Sequence, residues 1–458
     1  LSLKLNVEND SLGLRHIKHE PIAHVVVGHK SIAELLQTRF SFDHTCFELD
    51  SLVLKNIKEV CFGKDYRLCL LDGSHLLPYS IQEPLLEDYF KALISLSSSH
   101  FVDSAHTGYG SGFYLENHLF ALSQAKEKNI SYQIAETCIE GGNCHLFISE
   151  QGPSAAIGVH SLVLSYIALE EQGYFEKNKE LLQNMRKQIV HPSEEFLRIA
   201  RNLSLFQEVV TQVDPFEQRK NYSKESIYPA FIKAIQAKYS NLTEFRRQFI
   251  SSLKEEDRKK YVLSAIELET KWKITKEKIS QEIKVPLDQI AFINQYHFHI
   301  DLECMILPDG WGLIHDEEQA ISFLFNLPDE TYENEKTIDA YLKAAKERKL
   351  HFEQHQKQTC LELERIGCKC ILIPAVFEAK GEETLNFLNG LFFYLEDKTI
   401  FITNGINPRF NLYKEHFEKV LKDHQTTFEV YFIPHNMIQK VLSERFGGLS
   451  CLTWQYKS

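Results

Sequence analysis

No stretch of this 458-residue chain approaches the roughly 18 consecutive apolar residues that a bilayer-spanning helix needs. It also lacks any run of Gly, Ser or Pro that would mark a flexible linker, and it has no close repeat or low-complexity tract. Cysteine is too dilute for a disulfide scaffold, at 10 residues with irregular spacing, which suits reduced thiols in a cytosol-like compartment. An excess of basic charge is missing as well. The 51 Lys and Arg face 63 Asp and Glu, and the formal net charge of -12 argues against nucleic acid as the main partner. The same balance mildly favours cationic substrates. The first residues, Leu1–Glu8, hold neither an h-region nor a cleavage site and begin without Met. We therefore expect a cytoplasmic protein without a membrane span, whose native targeting segment could lie outside this sequence.

What is present fits an ordinary globular protein: 43% hydrophobic and 25% charged residues. The length allows two or three domains, or one large domain with an insertion. Periodicity divides the chain into three parts. Residues 1–165 alternate short strands and helices: His24–Val27 as a strand, Ser31–Thr38 as a helix, Tyr66–Leu71 as a strand. Residues 166–287 are helical and charge-rich, as in Glu176–Met185, Leu242–Phe249 and Trp272–Ile279. From 288 to 458 the β/α alternation resumes. We read one α/β domain interrupted by a mostly helical insertion. The Cys368-Lys369-Cys370 pair flanks a strand-like run, Cys370–Pro374, and reads as structural rather than as a metal or redox site.

Three segments could carry chemistry. The first, Glu136-Thr137-Cys138-Ile139-Glu140-Gly141-Gly142-Asn143-Cys144, places a carboxylate before paired glycines in a strand-to-strand turn. Glycines there let a ligand approach the backbone, and the acid could bind a cation. A hairpin with a solvated Glu140 fits the same residues. The second, Tyr296-His297-Phe298-His299-Ile300-Asp301-Leu302, reads as a strand. Its period of two puts His297, His299 and Asp301 on one face, so spacing does not choose between the histidines. A histidine there could shuttle protons. The third is Gly447-Gly448-Leu449-Ser450-Cys451-Leu452-Thr453, where two glycines precede a small nucleophile near the C-terminus.

In that order the three segments resemble the guanidine-modifying superfamily, which includes arginine, agmatine and peptidylarginine deiminases and amidinotransferases. The resemblance spans roughly 60–165 and 288–458. Ala155–Val159, Leu385–Gly390 and Phe428–Pro434 are similar to the family's neighbouring strands. It implies a five-bladed α/β propeller, the pentein. It also implies Cys451 as nucleophile and His299 as acid/base, with Glu140 and Asp301 as partners of the histidine and the guanidinium. Glu83, in Tyr79-Ser80-Ile81-Gln82-Glu83-Pro84, is the nearest match to an acid in an earlier blade, where the family usually has Asp. Asn143 and Gly448 are implied on the substrate side. Where several members carry a histidine before the nucleophile, this chain has Ser450.

By resemblance the reaction converts a guanidino group to a ureido group through an S-alkylthiouronium, with no metal or cofactor required. An amidinotransferase would use the same residues, and a non-catalytic pentein would keep only the fold. The helical insertion is expected to hold a protein partner. A papain-like protease is disfavoured because there the cysteine precedes the histidine.

Overall fold

The structure is a computed structural model. It describes residues 24–27, 30–40, 47–49, 68–79, 126, 129–197, 199–200, 255–295, 299–307, 310–325, 339, 343, 355–375, 385–394, 399–424, 428–439, 448–450 and 453–456. Two compact units separate among these residues. The first draws on the described parts of 1–79, 115–162 and 280–458, and the second on those of 163–279.

In the first unit the short apolar runs become strands. The chain opens with β1 (His24–Val27), α1 (Lys30–Phe40) and β2 (Phe47–Leu49). There follow β3 (Leu68–Cys69), β4 (His75–Leu77), β5 (Tyr132–Ile134), β6 (Cys144–Ser149) and β7 (Gly152–Gly158). Among the described residues helices come next, including α2 (Val159–Glu171), α3 (Tyr174–Lys177), α4 (Lys179–Arg186) and α5 (Glu255–Ile283). Beyond them run β8 (Ile290–Ile293), β9 (Cys304–Ile306), β10 (Trp311–Asp316), α6 (Glu317–Phe325) and β11 (Lys369–Pro374). The chain closes with β12 (Leu391–Tyr394), β13 (Thr399–Asn404), α7 (Asn411–Asp423), β14 (Phe428–Ile433) and β15 (Thr453–Tyr456).

These strands form five three-stranded sheets among the described residues, and all five follow one plan. A middle strand pairs antiparallel with one neighbour and parallel with the other. Tight turns suffice for the antiparallel partner, whereas the parallel one needs a crossover. Helices supply it: α1 between β1 and β2, α6 between β10 and β11, α7 between β13 and β14. The sheets are β3-β4-β5, β6-β7-β8, β9-β10-β11, β12-β13-β14, and β15-β1-β2. In the last, the C-terminal strand completes a sheet begun at the N-terminal one, with His24 opposite Tyr456.

Burial follows the periodicity. Within strand β11, exposed Leu372 lies between buried Ile371 and Ile373, which face the opposite side. Helix α7 buries Tyr413, Phe417 and Leu421, one per helical turn on one face. These meet Phe387, Phe401, Leu313 and Ile371 in an aromatic-rich core, where Phe392 stacks on Phe401 at 4.6 Å. A second cluster joins Phe147, Ala156, Ile293, Ile306, Ile314, Leu363 and Ile366.

The second unit is helical. Tyr166, Phe175, Phe196 and Trp272 pack with ring centroids 5.9–6.0 Å apart. Lys271 is held at 2.6 Å from Glu170. Burial would lower the Lys271 pKa, but Glu170 and Glu267 raise it overall. The helix expected over Glu176–Met185 is broken. Asn178 leaves helical geometry at φ -111°, and its side-chain Nδ2 donates to the Tyr174 carbonyl at 2.8 Å. An asparagine amide that competes for main-chain carbonyls ends a helix there. Among the described residues no helix is long and apolar enough to cross a membrane.

Helix α5 ends in a left-handed residue, Lys284 at φ 60°, and Val285 N–H closes back on Ser280 O at 3.2 Å. This is the hydrogen-bond pattern that usually employs glycine. Lys284 Nζ reaches Asp72 Oδ2 at 2.6 Å in the β3–β4 turn. Burial there would push the Asp72 carboxyl up, but Lys284 and Ser74 hold it at about 2. The folded value lies below the usual ~3.9, so this contribution is present above that value and is lost as pH falls toward 2. Asp72→Asn should therefore cost up to about 1 kcal/mol at pH 7, the ceiling for a half-exposed pair. Urea titrations of both proteins should show that gap closing between about pH 4 and pH 2.

Candidate active site

Four of the five sheets have a described segment leading into their first antiparallel strand, and each segment is buried. They are 137–143 before β6, 299–303 before β9, 385–390 before β12 and 448–450 before β15. Of the sequence-derived site residues, Glu140, Asn143, His299, Asp301 and Gly448 fall on three of them.

Glu140 and Asn143 bracket a single 3-10 turn, Gly141–Asn143, and both are fully buried. The strand before this turn, β5, pairs with β4, whereas the strand after it, β6, pairs with β7. The segment thus passes from one sheet to the next and is not a hairpin, and its carboxylate is not solvated. Glu140 Oε2 accepts a hydrogen bond from Asn143 Nδ2 at 2.9 Å and pairs with His299 Nε2 at 3.3 Å. Asn143 Oδ1 accepts Gln295 Nε2 at 2.6 Å and the Ile300 N–H at 3.1 Å. Gln295 Oε1 in turn accepts the His160 N–H at 2.8 Å. The Glu140 N–H donates to Ser161 Oγ at 3.2 Å. A buried acid, a histidine and two amides thus form one polar network, as a charge in a low-dielectric interior requires.

His299 is 2% exposed and extended, at φ -128° and ψ 141°. Asp301 does not share a strand face with it, as the period of two had suggested. The chain turns into a 3-10 helix at Ile300–Leu302, and the strand begins only at Cys304. Asp301 is fully buried within that turn. His297 lies outside the described residues, so the structure places His299 alone of the two histidines.

Gly142 serves close approach rather than unusual backbone. A Cβ there would collide with the His299 imidazole, its Cγ being 2.7 Å away. Gly448 has the same reason for being glycine: a Cβ would sit 2.6 Å from Asn389 Oδ1 and 2.7 Å from the Asn404 amide. The Leu449 N–H donates to Asn404 Oδ1 at 3.1 Å, and the Ser450 N–H to Asn389 Oδ1 at 2.8 Å. Asn386 Nδ2 donates to Leu302 O at 3.2 Å, which joins this group to the turn bearing His299 and Asp301. Cys451, next after Ser450, and Glu83 both lie outside the described residues.

Two neighbours of the site were invisible in the sequence. Glu282, in the last turn of α5, accepts the Glu136 N–H at 2.8 Å, the Thr137 N–H at 3.2 Å and the Thr137 hydroxyl. A carboxylate is unfavourable at a helix C-terminus, so these three bonds explain its position. Cys304 is a buried thiol pushed well up by burial and by the charges of Glu303 and Asp301, which unsuits it as a nucleophile. Cys368 is raised to about 12 by burial alone, consistent with a packing role. Among the described residues no group of three or more His, Cys, Asp or Glu could hold a metal ion.

No protein-family model matches the chain, and no curated protein does. Solved structures that it resembles include one described as "Crystal structure of a putative peptidyl-arginine deiminase", at 12% identity and TM-score 0.41, covering 96% of this chain and 97% of that one. Another is the agmatine deiminase of C. jejuni, at 9% identity and TM-score 0.41, covering 94% and 80%.

Two substitutions probe this geometry. Gly142→Ala should force the His299 ring from Glu140 and cost about 1–3 kcal/mol, the range for overpacking a filled interior. Glu282→Ala should cost about 3 kcal/mol, because two buried N–H groups and a hydroxyl lose a charged acceptor. Denaturant unfolding of each variant checks the values. A cost below about 0.5 kcal/mol for either would contradict the contacts described.

Proposed function

We propose that the protein is a cysteine-dependent guanidine-modifying hydrolase, a deiminase that converts a guanidino group to a ureido group. The observation that carries the reading is the buried Glu140–His299 pair, set with Asp301 on segments topologically equivalent to the one that leads to Cys451. We further propose that the five like-built sheets are the blades of a five-bladed α/β propeller, the pentein. Its last blade would be the one that joins β15 to β1. In this reading 1–165 and 288–458 form the propeller, and 166–287 is an insertion that holds a protein partner.

The chemistry assigns each residue a role. A guanidinium is a planar cation with donors along its edges, so carboxylates hold it from the side and leave its carbon open. Asp301 and Glu83 take those edges, with Asn143 and Gly448 lining the substrate side. The Cys451 thiolate adds to the guanidinium carbon to give a tetrahedral adduct. His299 protonates one nitrogen, which leaves as ammonia, and an S-alkylthiouronium remains. His299, with Glu140 beside it, then takes a proton from water. The hydroxide adds to the same carbon, the proton left on its oxygen passes to bulk water as the C–S bond breaks, and the ureido product departs with the thiolate restored. The scheme uses no metal or cofactor. A cytoplasmic setting suits it, since the seven cysteines among the described residues are all free thiols.

Incubation with free arginine, agmatine, a methylated arginine and an arginine peptide tests the reading, with ureido product, ammonia and transferred amidine assayed together. Ureido product with equimolar ammonia is expected, and Cys451→Ser should lower its rate by at least about 10³-fold. Amidine transfer without ammonia would identify an amidinotransferase instead. Full activity in Cys451→Ala would refute the thiol mechanism.

A further inference from the structure

We infer that Asn389 and Asn404 are positioning residues for Cys451. The inference rests on the proposed role of that cysteine and extends it to two side chains that never meet the substrate. Leu449 and Ser450 are 0% and 2% exposed, so their N–H groups need partners inside the protein. Both donate to side-chain amides rather than to a strand: Leu449 to Asn404 Oδ1, Ser450 to Asn389 Oδ1. The position of this segment is therefore dictated by two asparagines, one in the run before β12 and one at the end of β13. Gly448 lets them come this close, because any Cβ there would strike both amides.

The two asparagines are themselves fixed, and differently. Asn404 ends β13 and uses both sides of its amide. Its Oδ1 takes the Leu449 N–H, while its Nδ2 donates to Asn386 O and Asn389 O, each at 3.2 Å. It thereby ties the turn at 386–389 to the segment before the nucleophile. That turn is further secured by Leu388 N–H to Asn386 Oδ1 at 2.7 Å and by Thr403 Oγ1 to Phe387 O at 2.5 Å. Asn386 Nδ2 extends the connection to Leu302 O. An unbroken set of hydrogen bonds thus runs from Ser450 to the turn that carries Asp301 and follows His299. Its consequence is a fixed separation between the backbone at Ser450 and the turn that follows His299, and in an active site errors of ~1 Å can cost on the order of 10²-fold in rate.

The test removes each acceptor in turn: Asn389→Leu and Asn404→Leu keep side-chain volume but lose it. Iodoacetamide is the probe, with the alkylation rate of every cysteine read by peptide mass spectrometry in one sample. Hydrogen exchange is followed in peptides covering 445–456. We expect both variants to change the Cys451 rate by at least about 10-fold and to expose the amides of 449 and 450. The other nine cysteines should stay within about twofold.

Unchanged Cys451 reactivity with full protection at 449 and 450 in the Leu variants would overturn the inference. So would a parallel shift of all ten cysteines, which would mean general loosening. If wild-type Cys451 reacts no faster than the rest, the nucleophile assignment fails instead. Exchange at 449 and 450 then still decides the clamp: protection lost only there in the variants upholds it, and protection retained overturns it. Should the Leu variants not fold, exchange in the wild-type protein carries the decision: slow exchange of the 449 and 450 amides upholds the clamp, and exchange as fast as in an unstructured peptide overturns it.

Discussion

A carboxylate with no exposure to water must have its charge answered inside the protein, and the arrangement around Glu140 is that answer. One oxygen of Glu140 takes both the Asn143 amide and the His299 ring. Satisfying Asn143 then requires Gln295 and the Ile300 N–H, and satisfying Gln295 involves the His160 N–H. Residues from three stretches of chain are drawn into register by one buried charge. Close backbone approach at Gly142 is a further consequence, since the ring leaves no room for a Cβ.

The same device recurs where no charge is involved. Before β12 and β15 the buried main chain is held by Asn386, Asn389 and Asn404, whose amides can donate and accept at once. Segments that lead into strands carry N–H and C=O groups that no ladder partner reaches, and buried side-chain amides complete them. Repetition of one sheet plan explains why such segments recur. Each sheet begins with an antiparallel strand reached from the preceding sheet. Each connecting run is therefore a place where functional side chains can be mounted on rigid neighbours.

Much of the fold was legible. The strands at His24–Val27 and Cys370–Pro374 and the helix at Ser31–Thr38 stand close to where apolar patterning put them, and the strand at Phe428–Ile433 close to where the resemblance did. The pattern failed where a local polar contact outweighed it. Asn178 split an expected helix, and the expected strand through His299 and Asp301 became a 3-10 turn, because the Ile300 N–H is committed to Asn143 instead of a ladder. Solvation of Glu140 could not be judged from its neighbours at all. Burial depends on which segments pack against it, and the one that bears His299 lies more than a hundred residues away in sequence.

By itself the sequence determined the residue types and their order: an acid before Gly-Gly, a His-x-Asp, and a late Gly-Gly-x-x-Cys. Those are chemical identities, and spacing within a few residues suffices to find them. Only the tertiary structure decided that Glu140 faces His299, that Gly142 and Gly448 are glycines for want of space, and that asparagines at 389 and 404 hold the run before Cys451. An asparagine has no periodic signature, and its partners are main-chain groups found in every sequence. Its role exists only once folding has buried those groups beyond the reach of water.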